Sequence, residues 1–320
     1  MSRNLIVLLP GLEDSLRSRI REAAESAGFL AAFPENEAEA APLLPDAEII
    51  FSLSSALADS APRLRWQCTP SAGFNQFASC GAFLSGRAML SNSSGAYGVT
   101  LAEHILMLTL EMLRRQPEYA EIVRRREWTN TLPVRSIKGS RVTLLGTGDI
   151  GQEAAVRLRA FAPARLSGVN RGGRNPSGLF DTIVPISQIE SILPGSDILI
   201  LSLPGTAETD GLLDAKRLSL LPDGALVVNV GRGTVIDQLA LERELRAGRL
   251  YAALDVFERE PIPADASLWD CPNLLITPHA AGGMSLPHTR ERIVSLFLRD
   301  FDNYCAGCPL EKRVDLAKGY

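Results

Sequence analysis

The chain has 320 residues, 46% hydrophobic and 22% charged, with a formal net charge of −4. That balance excludes disordered and fibrous classes, leaves room for two domains, and provides no basic field to hold a nucleic acid or an anionic membrane. The apolar run Leu5 to Leu9 stops at Pro10, too short for a signal core, and no stretch approaches a membrane span. A cytoplasmic protein with a small-molecule partner is expected. Cys68, Cys80, Cys271, Cys305 and Cys308 are few and odd in number, against a disulfide framework. The C-x-x-C spacing of Cys305 and Cys308 has only His288 as a histidine in its region, so no metal site is expected.

In chain order, Asn4 to Leu9 reads as a strand, Ser15 to Gly28 as a helix, and Ala47 to Ser52 and Leu64 to Cys68 as strands. The loop Ser71, Ala72, Gly73 follows. This alternation predicts a small α/β unit. Thr100 and Glu103 are spaced as a capping box ahead of Ile105, Leu106, Met107, Leu108, Leu110, Met112 and Leu113, a helix apolar on almost every face and expected to be buried or covered by a second subunit. Its His104 reads as a satisfied core or interface group. The polar stretch from Arg114 to Gly139 reads as a surface excursion.

Beyond it, apolar runs recur at Val142–Leu145, Arg165–Val169, Asp197–Leu203, Ala225–Val230, Ala252–Val256 and Asn273–Ile276. Most are continuous rather than alternating, as in a parallel sheet covered on both faces by helices such as Gly151–Phe161 and Gln238–Ala247. A last helix is expected over Arg290–Tyr304, with His288 exposed just before it.

The first of these strands runs into Gly146, Thr147, Gly148, Asp149, Ile150, Gly151 and then a helix. In that setting G-x-G-x-x-G has a physical meaning: a tight turn at Gly146, backbone approach to a pyrophosphate at Gly148, and helix–strand packing at Gly151, with free helix amides for the phosphates. The next strand ends without the acidic residue that takes the ribose hydroxyls of NAD. Asn170, Arg171 and Arg174 stand there instead, and two guanidinium groups suit a 2′-phosphate. NADP(H) is therefore preferred and NAD(H) possible, the alternative being that the two arginines are solvated loop charges.

Arg232, between Gly231 and Gly233, follows the strand ending at Val230 and can hold a carboxylate bidentately while polarising a carbonyl. Glu260 precedes Pro261 shortly after the strand ending at Val256. Of three histidines, His104, His279 and His288, only His279 follows a strand's carboxyl end. Reduction of a carbonyl needs a hydride, a proton donor and a cation for the substrate carboxylate. Histidine titrates nearest neutral pH, so the triad Arg232, Glu260 and His279 meets the demand, with Glu260 orienting the imidazolium.

Taken in order, these motifs resemble the D-isomer-specific 2-hydroxyacid dehydrogenase family over nearly the whole chain. Ser71-Ala72-Gly73 resembles its substrate loop, Ala102-Glu103-His104 its interdomain helix, and Gly146 to Gly151 its nucleotide turn. Leu203-Pro204-Gly205-Thr206 resembles its second cofactor loop, Val230-Gly231-Arg232-Gly233 its catalytic arginine segment, Ala253-Leu254-Asp255-Val256 the strand before its glutamate, and Pro278-His279 its acid histidine.

The resemblance implies a Rossmann-type doubly wound parallel sheet domain, residues 99–288, inserted in a smaller flavodoxin-like α/β substrate domain of residues 1–98 and 289–320. It implies a homodimer, reduction of a 2-oxo acid to the D-2-hydroxy acid, substrate contacts from Ala72 and Gly73 beside Arg232, and a nicotinamide contact from Asp255. Two other readings keep the fold. One is a dinucleotide-sensing regulatory protein; the other is an NAD-dependent formate- or phosphite-type dehydrogenase, a direction made less natural by Asn170, Arg171 and Arg174. The identity of the 2-oxo acid is not encoded in these motifs, although Phe74, Met284 and Leu286 hint at room for an apolar substituent.

Overall fold

A computed structural model describes residues 3–316. The chain divides into two compact units, Met1–Tyr97 with Met284–Tyr320, and Gly98–Gly283.

The first unit is built on five parallel strands: β1 (Arg3–Leu8), β2 (Phe29–Ala32), β3 (Ala47–Ser52), β4 (Trp66–Cys68) and β5 (Met89–Ser91). Their spatial order is β2-β1-β3-β4-β5, the flavodoxin-like arrangement. The helix Pro287–Cys305 belongs to this unit and buries Ile293, Val294, Leu296, Phe297 and Phe301, a stripe at helical spacing. Phe297 stacks on Phe51 of β3 with ring centroids 4.2 Å apart and on Trp66 of β4 at 5.3 Å, so aromatic burial ties the C-terminal helix to a sheet made by the N-terminal residues.

The second unit contains seven parallel strands: β6 (Arg141–Leu145), β7 (Arg165–Asn170), β8 (Thr182–Pro185), β9 (Ile198–Leu201), β10 (Leu226–Asn229), β11 (Tyr251–Leu254) and β12 (Leu274–Ile276). They lie in the order β12-β11-β10-β9-β6-β7-β8. The order reverses between β6 and β9, and ligands of open α/β sheets bind outside the carboxyl ends of the strands at such a switch point. Every residue of β9 and β10 is buried, which is why those runs are apolar without alternation.

Several expectations are corrected. The helix Gly98–Leu113 starts before Thr100, so Thr100 and Glu103 lie within it and form no capping box at its entry. Gly98 lies close to the Asp149 and Glu153 side chains, so a Cβ there would oblige those side chains to move. The stretch after Arg114 holds a further helix, Gln116–Arg124, and buries Ile137. The last helix begins at Pro287, so exposed His288 lies inside it. The short strands β2, β5 and β8 were not foreseen. No helix of the described residues is long and apolar enough to cross a membrane.

Candidate active site

At the carboxyl end of β6 the three glycines serve three different ends. Gly146 has φ +100°, a left-handed turn closed to other residues without strain. A Cβ on Gly151 would lie 2.1 Å from the Gly146 carbonyl oxygen, so only glycine lets the helix meet the turn. Gly148 is exposed and a Cβ there would touch nothing within 4 Å, so the surface beside it is open. The helix begins at Asp149, two residues earlier than Gly151, and Gly148 at its cap supplies no side-chain acceptor. Asp149 and Ile150 open the helix beside this surface, and the amides of a helix's first turn suit the phosphates of a dinucleotide.

Asn170, at the end of β7, donates from Nδ2 to Thr147 Oγ1 and to the Arg174 carbonyl, both at 2.8 Å, and so ties the glycine turn to the following loop. Its buried Oδ1 has no partner. Arg171 and Arg174 are exposed on that loop, and Arg171 forms a loose ion pair with Glu208 at 3.6 Å. Beyond β9, Leu203 is buried, Pro204 exposed and Thr206 half-buried. Buried Thr209, which sequence reasoning missed, organises this loop: its hydroxyl donates to the Pro204 carbonyl at 2.6 Å and accepts the Thr206 N–H at 2.9 Å.

After β10 come buried Val230 and Gly231, then half-buried Arg232. The glycines flanking Arg232 serve the packing of the loops around it. A Cβ on Gly231 would lie 2.6 Å from the Leu203 carbonyl oxygen and one on Gly233 1.8 Å from the Phe257 backbone, so both are needed for neighbouring loops to close in. Asn229, buried and also missed, accepts the Gly231 N–H at 3.0 Å and donates to the Arg232 carbonyl at 2.9 Å. A polar residue closing the apolar run Leu226–Val228 was the available signal. The guanidinium of Arg232 donates to the Gly231 carbonyl at 2.7 Å and forms no ion pair among the described residues. Burial pushes it down from its ordinary value, with the Glu260 charge opposing. It is an under-solvated cation in want of an anion.

His279 and Glu260 are brought together. Glu260 Oε1 accepts the Phe257 N–H at 2.9 Å, which orients the carboxylate, and Oε2 lies 2.6 Å from His279 Nδ1. His279 has φ +51°, a left-handed conformation, held by donation of its N–H to the carbonyls of Asp255 and Thr277 at 2.9 and 3.0 Å. Its side chain is 52% exposed, so the ring reaches a surface that a substrate can approach.

Asp255 is only 1% exposed. Its Oδ1 accepts the Thr277 hydroxyl at 2.6 Å and the Ala280 N–H at 2.8 Å, and its Oδ2 accepts the Ala281 N–H at 3.1 Å. Burial pushes this carboxyl up, but the His104, Thr277, Ala280 and Ala281 donors together hold it below the ordinary aspartate value. His104 Nε2 stands 3.1 Å from Thr277 Oγ1; because that hydroxyl donates to Asp255, it takes the histidine N–H. Asp255 thus anchors the His279 loop.

In the first unit the Ser71-Ala72-Gly73 loop leaves β4. Ala72 is exposed and Gly73 half-buried, and no acceptor takes either N–H among the described residues. Phe74 is half-buried and packs partly against the core of this unit.

Residues 106–281 match the family model of the D-isomer specific 2-hydroxyacid dehydrogenase NAD binding domain. Glyoxylate/hydroxypyruvate reductase B of Enterobacter sp. strain 638 is 30% identical over 94% of this chain and 95% of its own. A D-isomer specific 2-hydroxyacid dehydrogenase family protein from Aeromonas salmonicida has a solved structure that superposes with a TM-score of 0.82 at 30% identity, covering 99% of this chain and all of that one. A D-isomer specific 2-hydroxyacid dehydrogenase from Xanthobacter autotrophicus Py2, solved with NADPH and MES, superposes with a TM-score of 0.79 at 25% identity over the full length of both chains. With its two parallel sheets, its glycine turn at the switch point and these matches, the chain belongs to the D-isomer specific 2-hydroxyacid dehydrogenase family.

Proposed function

We propose that this protein reduces the keto group of a 2-oxo acid to the D-2-hydroxy acid, with NADPH preferred over NADH, in a site formed by Arg232, Glu260 and His279. The single observation that carries the reading is that a half-buried arginine with no ion pair among the described residues, a glutamate and the histidine it holds follow three successive strands, β10, β11 and β12, of one nucleotide-binding sheet. A bound nicotinamide supplies the hydride. Arg232 holds the substrate carboxylate and polarises the adjacent carbonyl. Glu260 fixes His279 through Nδ1, so a proton held at Nε2 can pass to the developing alkoxide. Gly146, Gly148, Asp149, Ile150 and Gly151 hold the pyrophosphate, while Leu203, Pro204, Thr206, Val230 and Gly231 line the dinucleotide's path over the strand ends. Asn170 shapes the loop that offers Arg171 and Arg174 to a 2′-phosphate. Ala72 and Gly73 supply backbone donors to the carboxylate, which assigns the unit that carries them to substrate binding. NADPH in the Xanthobacter relative supports this cofactor choice, and the reductase names of the curated relatives make glyoxylate and hydroxypyruvate the first substrates to try.

The proposal includes a cytoplasmic homodimer. Its support is a surface of the second unit that a monomer leaves wet: Met107 is 40% exposed, Val123 65% and Trp128 99%, and the helix Gln116–Arg124 buries none of its residues. A hollow of about 400 Å³ lined by Met112, Pro117, Ile122 and Leu274 lies on the same face.

The test is oxidation of NADPH and of NADH by the purified protein against glyoxylate, hydroxypyruvate, ketopantoate, 2-oxoisocaproate and phenylpyruvate. Turnover with NADPH preferred is expected. Tight NADPH binding with no turnover of any 2-oxo acid would contradict the reading.

A further inference from the structure

The Thr69–Gly73 loop has an uneven hydrogen-bond balance. All five of its carbonyl oxygens are taken. Ser93 Oγ donates to Thr69 at 3.1 Å, Tyr97 Oη to Pro70 at 2.7 Å, the Ser93 N–H to Ser71 at 2.9 Å, Asn92 Nδ2 to Ala72 at 2.9 Å, and Ser71 Oγ to Gly73 at 2.5 Å. The N–H groups of Ala72 and Gly73 have no such partner among the described residues. A loop whose acceptors are all satisfied and whose adjacent donors are unmet presents net positive potential, the condition for holding an anion. Four of the five donors come from one short segment, Asn92 to Tyr97.

We infer that Asn92 is a positioning residue for substrate binding: its side-chain amide pins the Ala72 carbonyl and thereby keeps the Ala72 and Gly73 N–H groups oriented for the substrate carboxylate. The inference rests on the function proposed above. Asn92 is itself over-determined. It is 7% exposed, its Oδ1 accepts the Ser94 N–H at 3.1 Å, and its own N–H donates to the Lys312 carbonyl at 3.1 Å. That carbonyl is fixed by the C-terminal tail, because buried Asp300 accepts the N–H groups of Glu311 and Lys312 at 2.6 and 3.2 Å, and Val314 donates to the Leu90 carbonyl at 2.8 Å. The tail therefore buttresses β5, β5 delivers Asn92, and Asn92 sets the loop. An asparagine is required, since its one side chain must accept from Ser94 and donate to Ala72 at once.

The experiment uses Asn92→Asp, which keeps the shape and the acceptor for Ser94 but sets an oxygen against the Ala72 carbonyl, with Tyr97→Phe as a milder second variant. Glyoxylate KM, kcat and NADPH affinity are measured on the full-length enzyme, with amide hydrogen exchange of residues 70–74 as a readout independent of turnover. The expected result for Asn92→Asp is a KM raised about tenfold with kcat within about threefold, the range of one lost hydrogen bond to a charged group. NADPH affinity stays unchanged and exchange quickens in the loop alone; Tyr97→Phe moves the same way by less. Unchanged KM, or unchanged loop exchange, overturns the inference while leaving the proposed reaction intact. Equal losses in KM, kcat and NADPH affinity overturn it as well, since they mark general damage. A wild-type protein that reduces no 2-oxo acid overturns the underlying reading instead, and is told apart because the failure then precedes any substitution.

Discussion

Glu260 Oε2 stands 2.6 Å from His279 Nδ1, while the same carboxylate's other oxygen is occupied by the Phe257 amide. The glutamate is thus fixed before it fixes the histidine, and one ring nitrogen is committed to orientation. Glu260→Gln keeps an acceptor in that place but removes the carboxylate charge beside His279 Nδ1. Its kcat is expected to fall by roughly tenfold to a hundredfold with NADPH affinity unchanged. Steady-state kinetics beside a fluorescence titration of NADPH checks this; a parallel loss of cofactor affinity would mean that Glu260 supports the fold of the cofactor site.

The two glycines of the nucleotide turn make opposite predictions. Gly148→Ala adds a methyl group to open space, so the melting temperature should stay within a degree or so while NADPH binds about tenfold or more weakly. Gly151→Ala forces a Cβ against the Gly146 carbonyl oxygen, and it should cost about 1–3 kcal/mol of stability, the scale of overpacking. Thermal melts with and without NADPH separate the two.

Arg171 and Arg174 are exposed, and the Arg171–Glu208 pair at 3.6 Å contributes little to stability. The double substitution to alanine should therefore leave the melting temperature alone, raise KM for NADPH by about tenfold or more, and move KM for NADH little. Equal effects on both cofactors would remove the 2′-phosphate assignment.

Asp255 links stability to pH with a definite sign. Its folded-state carboxyl is held below the ordinary value, so its stabilisation is present above the unfolded pKa of about 3.9 and is lost as pH falls through the folded value. Asp255→Asn cannot accept from Ala280, Ala281 and Thr277 together, and it should be about 1–3 kcal/mol less stable than wild type at neutral pH. The gap should narrow below about pH 4. Urea unfolding across that range is the check, and a gap constant with pH would refute the assignment.

These anchors show where sequence reading stops. The glycine turn, Arg232, Glu260 and His279 are legible because each follows an apolar run at a strand's carboxyl end and has a chemistry of its own. Asn229, Thr209, Thr277 and Asn92 are not, because their work is to satisfy backbone groups brought close only by the fold. Gly231 and Gly233 were legible as glycines but not in their reason, which is the approach of the Leu203 and Phe257 backbones. Asp255 is legible as the close of an apolar run, but its hold on the His279 loop through Thr277, Ala280 and Ala281 exists only in the fold.

The exposed apolar face around Ile122, Val123 and Trp128 predicts association. Light scattering should give twice the chain mass for wild type, and Ile122→Asp should shift the protein toward monomer by removing an apolar side chain from the hollow and adding a carboxylate beside Glu118 and Glu121, which also line it. A monomeric wild type at micromolar concentration would exclude the proposed dimer.

The most direct test of the central claim is single-turnover reduction of glyoxylate by NADPH in wild type and His279→Ala. The account predicts a rate lower by two or more orders of magnitude, roughly the contribution of a general acid, with NADPH affinity nearly unchanged. A His279→Ala protein that reduces glyoxylate at the wild-type rate would contradict it.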